Sequence, residues 1–242
     1  MTSTIDVDDR TTWPSQVVDN VDKWVEQYKG TTEYTSDLAL PLEAEDEFRE
    51  LLSGRLLRAY HCTRLLPHEV RMIENAGLRP LSADLLHDRI NSAHEAGAIG
   101  PDDARELRAA HVFVTGRQRY RENQVCLILS KSMFLHNRHG CDPLLQTWGG
   151  EGIYMSYKAE RLLDRLKGLG KPTVVVALLD LGGRGSPHYV FPALHKVFVG
   201  AALRLSDVGA DVFYKAPVPP EHIERILQPG EPNYESLGDL PR

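Results

Sequence analysis

Cysteine is scarce in this 242-residue chain: Cys62, Cys126 and Cys141 are odd in number and never fall in CxxC spacing. That argues against a disulfide framework and for a reducing compartment. His136, His139 and Cys141 crowd one short stretch, but their spacing is too tight for a zinc site and a fourth ligand is missing. Long apolar runs are lacking as well. The longest, Val174 to Leu179 (VVVALL), falls far short of the roughly 18 residues of a membrane span and reads as a buried strand. The opening MTSTIDVDDR has no hydrophobic stretch, so no secretory signal is expected and the cytoplasm is the expected location.

A one-sided charge is also missing from most of the chain. Net charge is −6, yet residues 1–45 hold ten acids against three bases, leaving 24 acids and 25 bases in the rest. The whole-chain value therefore hides a nearly neutral body. Within that body, Arg117-Gln118-Arg119-Tyr120-Arg121 is a local basic run. It reads either as a solvated loop or as a phosphate contact with a tyrosine available for stacking.

What is present is an ordinary globular composition, 42% hydrophobic and 26% charged, in a chain long enough to bury a substantial core. Residues 1–45 are expected to form an acidic N-terminal extension, disordered through residue 13 and then helical. Val17, Val21, Trp24 and Val25 mark the apolar stripe of that helix, and Ser15 is its candidate cap. The main domain is expected over 46–228, with a tail at 229–242. Helices are predicted from about Glu43 to Leu52, from Pro67 to a Gly77 cap, from Ser82 to Glu95, after Pro101, and from Lys158 to Leu166. Strands are predicted at Leu56–Cys62, Val125–Ser130, Gly152–Ser156, Pro172–Leu181, Ala193–Val199 and Asp211–Tyr214, and a last helix from Pro219 to Leu227. Strands with segregated helices make an α+β fold.

The chemistry sits in two fragments. In Tyr60-His61-Cys62-Thr63, His61 and Thr63 lie two apart on a strand and share a face. A neutral imidazole and a hydroxyl suit ribose hydroxyls. Each also has an ordinary structural explanation, His61 as a strand-end residue and Thr63 as a β-branched strand former. In Gly149-Gly150-Glu151-Gly152-Ile153-Tyr154-Met155-Ser156, Tyr154 and Ser156 repeat that spacing, and the glycines allow close backbone approach. A packed core tyrosine and a plain glycine turn are the competing explanations there. Gly182-Gly183-Arg184-Gly185 lacks the Gly-Lys-Ser/Thr ending of a phosphate loop and reads as a surface loop.

These fragments resemble the ADP-ribosyltransferase superfamily, in its diphtheria-toxin-like and poly(ADP-ribose)-polymerase-like branch. His61-Cys62-Thr63 matches the first motif, His-x-Ser/Thr, followed by a helix ending in Gly77-Leu78. Gly152-Ile153-Tyr154-Met155-Ser156 resembles the second motif, and Asp211 to Ile223 looks like the last strand and the helix after it. The resemblance covers roughly residues 55–228, in matching order, with short motifs. It implies a split, mixed β-sheet core with flanking helices and an N-terminal helical extension. It also implies NAD as substrate, no metal, and a nucleotide site formed by His61, Cys62, Thr63, Gly152, Tyr154 and Ser156.

Two positions depart from the pattern. The usual catalytic glutamate falls on Asp211, one methylene shorter, and a usual second tyrosine falls on Arg165. Glu151 is the rival acid, although on a strand it would face away from Tyr154 unless the glycines form a bulge. The expected catalytic set is therefore Asp211, Glu151 and His61.

The resemblance implies a mono-ADP-ribosyltransferase, of toxin or defence type, that passes ADP-ribose to a protein or nucleic acid and releases nicotinamide. Transfer to water (an NAD glycohydrolase) or to an RNA 2′-phosphate is the alternative on the same fold. A third reading is an inactive module that binds a nucleotide or a protein. The acidic segment 1–45 is expected to pack on the body, with covering of the cleft or binding of a protein partner as the alternatives. No membrane partner is expected.

Overall fold

A computed structural model of the chain describes residues 3–116, 121–136, 138–154, 160–182, 188–205, 208, 210–238 and 240–241. In chain order the elements begin with β1 (Thr4–Ile5), α1 (Ser15–Tyr28), α2 (Leu42–Leu51) and β2 (Leu56–Leu65). Helices α3 (Pro67–Ala76), α4 (Ala83–Glu95), α5 (Pro101–Ala110) and α6 (Val112–Thr115) follow, then β3 (Val125–Ile128). Next come α7 (Ser132–His136), α8 (Arg138–Gln146), α9 (Glu151–Tyr154), α10 (Glu160–Lys167) and β4 (Lys171–Leu179). The chain finishes with β5 (Tyr189–Phe191), α11 (Leu194–Leu203), β6 (Asp211–Tyr214), β7 (Ile223–Leu227) and α12 (Pro232–Glu235). No helix among the described residues is long and apolar enough to cross a membrane.

The architecture is α+β, built on a seven-stranded open sheet in the order β5-β6-β3-β2-β4-β7. Neighbours in that order are antiparallel, while β1 adds to β2 in parallel through Thr4↔Leu56 and Ile5↔Leu57. The two edges of β2 are unequal. Along one edge β4 pairs with it continuously, from Leu57↔Leu179 to Leu65↔Lys171. Along the other, β3 meets it only at Tyr60↔Ile128, so beyond that point the strands part.

Alternation along β2 divides the core in two. Leu57, Ala59 and Leu65 face a large cluster with Val17 and Val21 of α1, Phe48 of α2, and Leu194, Val197 and Phe198 of α11. Tyr60 and Cys62 face the other cluster, with Met133 and Phe134 of α7, Cys141 and Leu145 of α8, and Tyr234 of α12. A third cluster, off the sheet, joins α4, α5, Trp148, α9 and α10.

Local chemistry explains the helix starts and stops. Ser82 accepts from the Leu85 amide at 3.1 Å to open α4. Pro67 opens α3, and Glu69 reaches back to the Leu66 amide at 2.8 Å. Gly77 ends α3 at φ +76°, where a Cβ would stand 1.9 Å from the Val218 carbonyl oxygen, so only glycine fits.

Four sequence expectations are corrected here. Residues 4–13 are not a disordered leader: β1 pairs with β2, and Ile5, Val7 and Trp13 are buried. Residues 194–199 are helical, within α11, whose mostly apolar surface packs against α1, α2 and the sheet, so the helical period is blurred. Residues 223–227 form an edge strand on β4, since Pro219-Pro220 opens only one 3₁₀ turn before the chain extends. Gly152–Tyr154 belongs to the short helix α9 rather than to a strand.

Candidate functional site

The parting of β2 and β3 opens a cavity of about 250 Å³. His61 and Thr63 border it from β2, Cys126 from β3, Asp211 and Phe213 from β6, and Gly149–Gly152 from the turn into α9; Arg79, Arg89, Arg121 and Gln124 add to its polar lining. A smaller lobe of about 110 Å³ adjoins it, sharing His61, Thr63, Leu78, Arg79, Leu85 and Arg89 but otherwise walled mainly by apolar residues such as Leu65, Met72, Ile73 and Ala76.

His61 spans the split. Its Nδ1–H donates to the Cys126 carbonyl at 2.8 Å, which leaves Nε2 as an acceptor. Burial, joined by the Arg89 charge, lowers the His61 pKa and keeps the ring neutral. Thr63 is 4% exposed on the same face of β2 and lines both lobes. Cys62 points to the other face, where its thiol hydrogen-bonds Cys141; that bond and burial hold its pKa well above the usual thiol range. It contributes to the wall of the cavity as an inert thiol.

The acids come from separate elements. Asp211 opens β6, opposite Ile128 on β3 and Phe191 on β5. Glu151 opens α9 and stands 3.4 Å from Arg121 Nε. The helix turns Glu151 onto the cavity wall, so the expectation that a strand would aim it away is overturned. Cys126 feels both carboxylates: burial raises its pKa, and Glu151 and Asp211 raise it further against the opposing Arg121 charge. Gly152 lines the cavity, but its smallness serves packing, since a Cβ there would lie 2.9 Å from Leu86 Cδ2. The backbone of Tyr154 closes α9. The side chain of Tyr154, Ser156, residues 117–120 of the basic run and Gly183–Gly185 lie outside the described residues.

Three contributors had no sequence signal. Arg89 sits on α4 and looks like a solvated base. In the fold its Nε donates to Glu69 Oε1 at 2.6 Å, and its guanidinium lies 5.1 Å over the Trp148 ring. Glu69, 5% exposed, also accepts from the Trp148 indole and the Leu66 amide, each at 2.8 Å. A buried carboxylate with three donors fixes the arginine between the two lobes. Arg79, paired with Asp88 at 2.7 Å, borders the same junction. Phe213 carries the Arg121 guanidinium 4.4 Å above its ring. None of these pairings has a short-range spacing by which a sequence could reveal it.

The arrangement thus joins a neutral imidazole acceptor, a hydroxyl, two carboxylates and three guanidinium groups around two connected lobes. That set can hold a polar ligand carrying anionic groups and place a carboxylate beside a carbon that gains positive charge. No family model, curated protein or solved structure matches the chain.

Proposed function

We propose that this cavity binds NAD and that the protein is a mono-ADP-ribosyltransferase of the split-sheet type, passing ADP-ribose to a macromolecular acceptor and releasing nicotinamide. One observation carries the reading: His61, Thr63, Glu151, Gly152 and Asp211, chosen from sequence motifs far apart in the chain, line a single cavity. Its two lobes suit a ligand with two heterocyclic ends. Arg79 and Arg89 at their junction suit a diphosphate.

In this reading His61 Nε2 accepts from a ribose hydroxyl, because Nδ1–H is committed to Cys126. Thr63 supports the same edge of the sugar. As the glycosidic bond breaks, the electron pair leaves with nicotinamide and positive charge builds on the ribose carbon. The carboxylates of Asp211 and Glu151 stabilise that charge electrostatically. Aliphatic walls in the second lobe receive a flat base. An acceptor at the mouth then attacks the ribose carbon and completes the transfer.

The three arginines around the cavity favour one second reading, in which the acceptor is a phosphate group such as an RNA 2′-phosphate. Incubation with NAD labelled in both halves tests the main reading. Free nicotinamide and label on an acceptor are expected; absence of nicotinamide release, of label transfer and of any NAD-induced thermal shift would overturn it.

A further inference from the structure

Beside the cavity, the face of the sheet that carries Tyr60, Ile128 and Asp211 also carries an aromatic strip. In the antiparallel register Tyr189 lies opposite Phe213, and Phe191 lies opposite Asp211, so all four side chains share a face. Phe213 and Asp211 belong to the cavity wall. Tyr189 and Phe191 lie beyond it and are 51% and 58% exposed, although strand aromatics usually bury most of their surface. The rings are aligned. Tyr189 and Phe213 stack at 5.6 Å with 7° between their planes, and Tyr189 and Phe191 are 6.4 Å apart at 25°. β5 is the outer strand of the sheet.

The chemistry of the strip selects its occupant. Among the described residues, its exposed apolar side chains are the aromatic Tyr189 and Phe191, a flat surface unlike the aliphatic grooves that grip an amphipathic helix. Cations accompany the rings: Arg121 lies 4.4 Å over Phe213, and exposed Lys215 directly follows the end of β6. Flat π-surfaces beside guanidinium and ammonium groups match a polymer of flat bases and phosphates. We infer that Tyr189 and Phe191 form a stacking platform for a single-stranded nucleic acid, which enters the cavity past Phe213 and serves as the acceptor. The acceptor role rests on the NAD-transferase reading given above; the docking itself does not.

Fluorescence anisotropy of the full chain with fluorescein-labelled 12-nucleotide single-stranded DNA and RNA of mixed sequence tests this. Binding is expected, weakening as salt rises, with Tyr189→Ala and Phe191→Ala each lowering affinity roughly tenfold. Both positions are exposed, so the variants should keep the wild-type NAD-induced thermal shift. Comparing the DNA and RNA arms identifies the preferred polymer. Unchanged oligonucleotide affinity in both variants, or no binding by the wild type, overturns the inference even when NAD still stabilises the protein. A dimer in sedimentation that the variants dissolve, with no oligonucleotide bound, assigns the strip to a second copy and also overturns it. Oligonucleotide binding that both variants weaken, in a protein that NAD does not stabilise, supports the platform and removes the transferase reading alone.

Discussion

The two edges of β2 solve opposite problems with the same backbone. On the β4 edge, nine consecutive residue pairs run from Leu57 to Leu65, and the partner strand supplies the apolar run Val174 to Leu179. On the β3 edge, one pair holds before the strands separate, and the groups left facing the gap are an imidazole, a hydroxyl, carboxylates and guanidinium groups. Backbone polar groups exposed by such a split need other partners. His61 supplies one by donating across the gap to Cys126. A closed edge gives rigidity, and an interrupted one gives a place for chemistry anchored to that rigid strand.

The comparison breaks most sharply through the closed edge. Leu57→Ala, at a fully buried position opposite Leu179, should lower unfolding free energy by about 2–5 kcal/mol in a denaturant titration. Properly folded variant should bind NAD with wild-type affinity. On the open edge the effect should invert. Asp211→Asn and Glu151→Gln should each leave the unfolding midpoint nearly unchanged, while the acid that faces the reacting carbon loses about 10²–10³-fold in nicotinamide release. Equal, small losses in both variants would remove either acid from the chemistry.

Acid sensitivity belongs to the scaffold. His195, fully buried beside α1 and α2, has no hydrogen-bond partner on either ring nitrogen among the described residues and stacks on Phe48 at 4.7 Å. Burial pushes its pKa down to about 4 from 6.5. The unfolded chain therefore takes up a proton that the folded chain refuses. Stability from this group is complete above pH 6.5 and lost as pH falls toward 4, by roughly 3 kcal/mol in all. His195→Phe should flatten that limb of the pH–stability curve. The smallest effect belongs to Thr63→Val: valine suits the strand, so stability should hold while NAD affinity weakens about tenfold, read by calorimetry.

Legibility in the sequence follows the same division. β2, β3, β4 and β6 were readable because their apolar residues alternate or run unbroken between turn signals. α3 and α4 were readable from Pro67, Ser82 and Gly77. Within the site, His61, Thr63, Glu151 and Asp211 were nominated by motif, and the cavity gathers all four. The failures have physical causes. α11 is buried over most of its surface, which blurs its period. Pro219-Pro220 promised a helix, but pairing with β4 claimed the residues after it. α9 was hidden by glycines that read as strand or turn. Arg89 depends on Glu69, twenty residues before it, and on Trp148, far along the chain, which no local pattern encodes.

That last linkage makes the protein optically self-reporting. Of the three tryptophans, Trp13 packs on Phe198 and Trp24 on His195, both in the large cluster around α11. Trp148 touches Arg89, one of the two arginines that line both lobes, with its indole N–H bound to Glu69. Its emission is therefore tied to whatever charge Arg89 meets, while Trp13 and Trp24 report on the scaffold. A ligand arriving between the lobes and a loosening of the core would register as two separate spectroscopic events, resolved by Trp148→Phe without any added dye.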